Sequence, residues 1–213
     1  MEAEQQPLRN GNRDGIGPGD SFRPGLPKYP GYVQRSQRVG IFVDVQNLFY
    51  SARNIYDSKI NFERLREFIT ARRRLVRAIA YLVQREGVDQ TGFIEALRRF
   101  GYETRVKLLK ERADGSAKGD WDMGIALDTI AISDRLDTVV IVSGDGDFVP
   151  LVEVLKTRGV RVEVVAFERS TAGELREAAD LYIPIGEDLL IKGARRSSPD
   201  YGEDEDLSLE DIS

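Results

Sequence analysis

Carboxylates recur in this chain at positions where they could act together. Asp145 and Asp147 sit in Ser143-Gly-Asp-Gly-Asp-Phe148, and Asp122 closes Lys118-Gly-Asp-Trp-Asp122, with Asp128 six residues on. Asp44 ends an early apolar run and is followed by Gln46 and Asn47. The sequence has no histidine and no cysteine. That removes Ser/His triads, Cys/His pairs, thiolate sites and imidazole-bound zinc. Hydrolytic chemistry must rest on carboxylates, lysine, tyrosine or a hard cation held by oxygen. Two unit charges ~5 Å apart repel by ~3 kcal/mol at an effective dielectric of ~20. Three or four gathered carboxylates therefore call for a counter-ion, and Mg²⁺ or Mn²⁺ is the natural one.

Each residue also has an ordinary reading. Asp147 and Asn47 could be helix caps, Gly144 and Gly146 could serve a tight turn, and Asp128 could be a solvated helix residue. The acids gain meaning only if the fold brings them together.

The elements that would do so are legible. Val39–Val45 reads as a buried strand with Asp44 at its end, followed by a helix from about Asn47. Asn61 caps a helix whose Phe62, Leu65, Phe68 and Ile69 share a face. Leu75–Val83 is a second strand. Asp89 caps a helix carrying Phe93, Leu97 and Phe100. Tyr102–Leu109 alternates as a third strand, with a turn at Asp114-Gly115. A helix over about Asp120 to Ser133 precedes a β-branched strand, Thr138–Val142. Asp147 is expected to cap the next helix, with Pro150 in its first turn. Val160–Phe167 is a further strand, Thr171–Glu174 reads as a capping box, and Leu181–Ile185 could add a last strand. Strand and helix in alternation predict an α/β fold, a mostly parallel sheet covered on both faces. Sites in such sheets lie beyond the carboxyl ends of the strands, at a switch point. If strands one and four are neighbours, Asp44, Asp145 and Asp147 meet there, and Asp122 reaches in from its helix.

The chain has 213 residues, 41% hydrophobic and 31% charged, which suits one domain with tails. Residues 1–37 read as a disordered arm and residues 194–213 as a disordered acidic tail, leaving a domain over 38–193. The net charge of −5 argues against a nucleic-acid partner at first sight. The tail, however, holds two arginines against seven acids, so the domain itself is near neutral. No run approaches the ~20 apolar residues of a membrane span, and no signal-peptide core is present, so a cytoplasmic protein is expected. Lys110, Arg112 and Lys118 flank the proposed pocket and, with Ser143, are the expected substrate-facing groups. Arg105 and Lys107 project from one side of strand three, Arg72–Arg74 reads as solvated surface, and Trp121 is either a base-stacking or a packing residue.

Asp44-Val-Gln-Asn47, Lys118-Gly-Asp-Trp-Asp122 with Asp128, and Ser143-Gly-Asp-Gly-Asp-Phe148 resemble the motifs of NYN domains, a branch of the PIN-like nuclease superfamily, and most of all those of its bacterial LabA-like group. The resemblance spans about residues 38–190. It implies a three-layer fold with strand order 3-2-1-4-5, an acidic pocket for Mg²⁺ or Mn²⁺, and RNA as substrate. By motif position Asp44, Asp122, Asp145 and Asp147 form that pocket, with Asn47 as an accessory polar group. Many NYN sequences have one residue between the Lys-Gly pair and the helix aspartate. This chain has two, so Asp120 competes with Asp122, and the six-residue interval to Asp128 favours Asp122. A metal-dependent ribonuclease is the leading expectation. The alternative is a non-catalytic regulatory module that binds RNA or protein, and regulatory partners and a homodimer stay open. An Asp-nucleophile phosphatase is disfavoured by Gln46, and a dinucleotide oxidoreductase by the lack of Gly-x-Gly-x-x-Gly after strand one.

Overall fold

The computed structural model describes residues 25–31, 33–85, 88–109 and 120–191. Six parallel strands form one sheet: β1 (Arg38–Asp44), β2 (Arg74–Arg85), β3 (Glu103–Leu109), β4 (Thr138–Val142), β5 (Arg161–Ala166) and β6 (Leu181–Pro184). Their order is β3-β2-β1-β4-β5-β6, and every neighbouring pair is parallel. This is the expected order with the short β6 added at one edge. β1 and β4 are fully buried over their middles, as apolar strands between two helical layers must be.

The two-residue period divides the core into two layers. Ile41, Val43, Ala80, Leu82, Val140, Val142 and Val165 face α1 (Val45–Tyr56), α2 (Phe62–Thr70) and α3 (Thr91–Arg99). Phe42, Ile79, Tyr81, Val139, Ile141, Val162 and Val164 face α4 (Asp122–Ile132), α5 (Val149–Thr157) and α6 (Gly173–Ala178). The sheet is thus wound in opposite directions from β1 and β4, and their carboxyl ends open a crevice between the two halves.

Local chemistry starts the helices, with some changes from expectation. Asn61 caps α2, accepting the Arg64 N–H at 2.9 Å. Asp89 accepts the Thr91 N–H at 2.9 Å just ahead of α3. Asp147 is not a cap. Asp145 takes that place, accepting the Asp147 N–H at 3.0 Å over a short 3-10 turn that leads into α5. The capping box at Thr171 does not form either. The Thr171 hydroxyl donates to the Phe167 carbonyl, and α6 starts after Ala172 without a side-chain cap.

Packing begins before β1, inside the segment that composition assigned to the arm. Tyr29 is buried against Phe68, with Leu26 and Val33 beside it. The Tyr29 hydroxyl donates to Glu163, a fully buried carboxylate on β5. Arg73 pairs with Glu163 at 2.8 Å and Arg161 at 3.0 Å. A carboxylate in an apolar layer needs such partners, and a Gly- and Pro-rich composition gave no sign of them. Burial and the charge of Glu163 push the Tyr29 phenol up, so it stays a proton donor. The turn at Asp114-Gly115, the basic residues Lys110, Arg112 and Lys118, and the acidic tail lie outside the described residues. Among the described residues no helix is long and apolar enough to cross a membrane.

Candidate metal centre

Asp44 is the last residue of β1 and the cap of α1. Its Oδ1 accepts the Asn47 N–H at 3.1 Å, and its Oδ2 accepts the Ser143 hydroxyl at 3.4 Å. Ser143 directly follows β4 next door and is fully buried. Its Oγ also accepts the Asp145 N–H at 3.3 Å. Ser143 was expected to face substrate. Buried between Asp44 and Asp145, it holds the two strand ends in register instead. Asn47 crosses the same seam, its Oδ1 accepting the Gly144 N–H at 2.9 Å. Asn47 is therefore not the cap of α1, a place Asp44 takes, and its amide oxygen clamps the Gly-Asp-Gly-Asp loop to α1.

The loop is also held from the other side. A Cβ on Gly144 would lie 2.6 Å from the Ser170 carbonyl oxygen, and the Ala172 N–H donates to the Gly144 carbonyl at 3.0 Å. Gly144→Ala is expected to push the β4 and β5 loops apart. It should cost about 1–3 kcal/mol of stability, whereas Gly173→Ala, with open space around it, should be near neutral. Chemical denaturation of the two variants checks this.

With the loop so fixed, Asp122, Asp145 and Asp147 each bring one carboxylate oxygen within 4.8 Å of the others. Asp122 and Asp145 are half-buried and Asp147 is exposed at the mouth. Asp44 stands behind them. Its burial, followed by the charges of Asp122 and Asp145, raises its carboxyl to about 6. Asp122 is raised too, by burial and then by Asp145, Asp120 and Asp147, while Lys107 opposes the shift. Asp120 stays outside the cluster, its backbone carbonyl accepting from Lys107. Asp128 faces away, accepting the Tyr81 hydroxyl at 3.0 Å and pairing with Arg105 at 3.5 Å. Of the two competing aspartates, the one at the helix start is brought in. Glu174 was read as a capping residue, yet its Oε1 lies beside Gly146, where an added Cβ would meet it at 2.9 Å.

The donors suit a hard cation. They are carboxylate oxygens with no nitrogen or sulfur donor among them, and an octahedral ion with bonds of about 2.1 Å needs ligand oxygens about 3–4 Å apart. A small inward movement of the three acids satisfies that. The pKa of Asp44 sets a pH dependence. Its folded value lies above the unfolded one, so the native state binds the extra proton between about pH 4 and 6. In metal-free buffer Asp44 should therefore lower stability by roughly 1–2 kcal/mol as pH rises through that window. Asp44→Asn should flatten this slope in thermal melts from pH 4 to 7. Metal affinity has the opposite trend, rising with pH as the proton leaves.

A parallel sheet wound both ways from β1 and β4, with four aspartates gathered at the switch point, defines a PIN-like α/β protein. The profile of the NYN domain matches residues 38–187, and the chain belongs to the NYN domain family, within the LabA-like group. It is 33% identical over 164 residues to low amplitude and bright protein LabA of Synechococcus elongatus, covering 72% of this chain and 86% of that protein. It is 27% identical over 156 residues to an uncharacterized protein of Methanocaldococcus jannaschii, covering 72% of this chain and 58% of that one. A crystal structure of a protein of unknown function from Vibrio parahaemolyticus superposes with a TM-score of 0.69 and 38% identity, over 76% of this chain and all of that one.

Proposed function

We propose that the protein is a ribonuclease that uses Mg²⁺ or Mn²⁺ held by Asp44, Asp122, Asp145 and Asp147 to hydrolyse RNA phosphodiester bonds. The observation that carries this reading is the approach of Asp122, Asp145 and Asp147 to within 4.8 Å in a fold of the PIN-like nuclease superfamily. When bound, such an ion would acidify a water, orient the phosphodiester and neutralise the leaving oxygen.

The protein residues supply the frame for that chemistry. Asp145 and Asp147 stand on a loop fastened by Asn47, Ser143 and the Ala172 N–H, so their spacing is preset. Asp122 enters from the first turn of α4, opposite them. Asp147, exposed at the mouth, meets incoming substrate first. Asp44 lies deepest, and its raised pKa makes it a group that releases a proton as a cation arrives. Its deprotonation is then expected to shape the acid limb of the rate profile where metal is limiting, and added metal should move that limb to lower pH.

The test is cleavage of a generic labelled RNA with Mn²⁺, Mg²⁺ or chelator. Cleavage in either metal that chelator abolishes supports the proposal. Absence of cleavage above background, with metal binding retained, favours a regulatory module instead.

A further inference from the structure

β3 is the outer strand on one side of the sheet, and its register with β2 sets Arg105 beside Tyr81 and Lys107 beside Val83. Tyr81 points into the α4 layer, so Arg105 and Lys107 project to that side as well. The strand runs toward the edge where the acidic cluster lies. Successive cations are two residues apart, about 6.6 Å along the strand. That step is of the same order as the phosphate repeat of an extended single strand.

The two cations are held differently. Arg105 is 47% exposed, and its Nε is 3.5 Å from an Asp128 carboxylate already bonded to Tyr81. A half-exposed pair of this kind contributes about 0–1 kcal/mol, so a phosphate can replace it. Lys107 is pinned. Its ammonium lies 4.6 Å from the Trp121 ring centre and donates to the Asp120 carbonyl. Trp121 is itself locked, with its indole N–H donating to the Leu82 carbonyl at 2.7 Å and its ring lying on Gly124, where a Cβ would come within 2.5 Å. The tryptophan is thus a packing residue that offers its face to Lys107. It fixes a positive charge one residue from Asp122.

From this geometry we infer that the Arg105–Lys107 row is a track for the backbone of single-stranded RNA, leading its phosphates into the acidic cluster. The inference rests on the proposed function. Among the described residues of this row Lys107 is the cation nearer the cluster, where its charge acts on Asp122, and Arg105 is the one before it. One row of charges on a strand edge matches one backbone. Charges on an edge strand also discourage strand pairing. That duty, however, does not require Lys107 to be fastened beside Asp122.

The test measures binding rather than turnover. Anisotropy of a short labelled uridine-rich RNA is titrated with the full chain in chelator, across a salt series, for the parent, Arg105→Gln, Lys107→Gln and Lys107→Arg. Arg38→Gln serves as control, because Arg38 pairs with Asp137 at the opposite end of β1. Each glutamine variant on β3 is expected to weaken binding about 3- to 10-fold at low salt. Each should flatten the slope of log affinity against log salt by about 0.7. Lys107→Arg should restore both, and the control should match the parent. Equal slopes in the parent and both glutamine variants would overturn the track while leaving RNA binding intact. Tighter binding of a blunt duplex than of the single strand would overturn the single-strand assignment. No binding by the parent would remove the track and the proposed function together.

Discussion

Asp145→Asn should lose at least about 100-fold in metal-dependent RNA cleavage while melting at the parent temperature or above it. The two halves of that expectation have separate causes. Asparagine keeps the Oδ1 that accepts the Asp147 N–H at 3.0 Å, so the turn into α5 survives. It removes one full charge from a cluster whose members already raise the pKa of Asp44 and Asp122. Relief of that repulsion stabilises the metal-free protein by up to about 1 kcal/mol once solvent screening is allowed for. The same lost charge weakens cation affinity. Rate assays at fixed metal and thermal melts in chelator, run on one preparation, read both. A variant that loses activity by unfolding would melt below the parent and would refute this separation of site from fold.

The largest stability effect is expected far from the cluster. Glu163→Ala leaves the Arg73 guanidinium without its carboxylate partner in a layer where both side chains are fully buried. It also strands the Tyr29 hydroxyl. Removing one partner of a buried ion pair costs about 3–5 kcal/mol. For a domain of this size that is roughly a 10–15 °C fall in melting temperature. Tyr29→Phe removes a single hydrogen bond to a charged acceptor and should cost about 1.5–3 kcal/mol. Equal melting of Glu163→Ala and the parent would contradict the buried Arg73–Glu163 pair, and equal melting of Tyr29→Phe would show that residues 25–31 do not dock on the domain in solution.

That contrast marks what the sequence could convey. β1 and β4 were readable because a strand buried on both faces must be continuously apolar, and Val39–Val43 and Val139–Val142 are so, whereas β5 breaks its apolar run at Glu163. The strand order followed from the motif resemblance, and the sheet has it with β6 appended. Asp122, Asp145 and Asp147 could be named because their spacing relative to strand ends is local information. What failed depends on distant partners. Ser143 looked like a substrate contact, since nothing local says that its hydroxyl will bridge Asp44 and the Asp145 N–H. Asn47 looked like a cap for want of any sign that Gly144 would come within 2.9 Å. Thr171 and Glu174 had the spacing of a capping box, but the Gly144 carbonyl takes the Ala172 N–H and draws that segment toward the β4 loop. Tyr29 was lost in a Gly- and Pro-rich stretch because its partner Glu163 lies 134 residues away.

The same logic separates structural from chemical carboxylates. Glu163 is buried with Arg73, Arg161 and Tyr29 as partners and has a structural duty. Asp128 is engaged by Tyr81 and Arg105. The carboxylates of Asp122, Asp145 and Asp147 converge instead on one another, which is costly unless a cation joins them.

The central claim, that these aspartates hold a cation which drives RNA hydrolysis, is tested most directly by single-turnover cleavage as a function of Mn²⁺ concentration, with Mn²⁺ binding followed in the same samples by electron paramagnetic resonance. Cleavage should be at background without metal and should rise with the same midpoint as binding, and Asp145→Asn should move both midpoints at least about tenfold higher. Cleavage that persists in chelator, or midpoints for binding and cleavage that Asp145→Asn leaves in place, would contradict it.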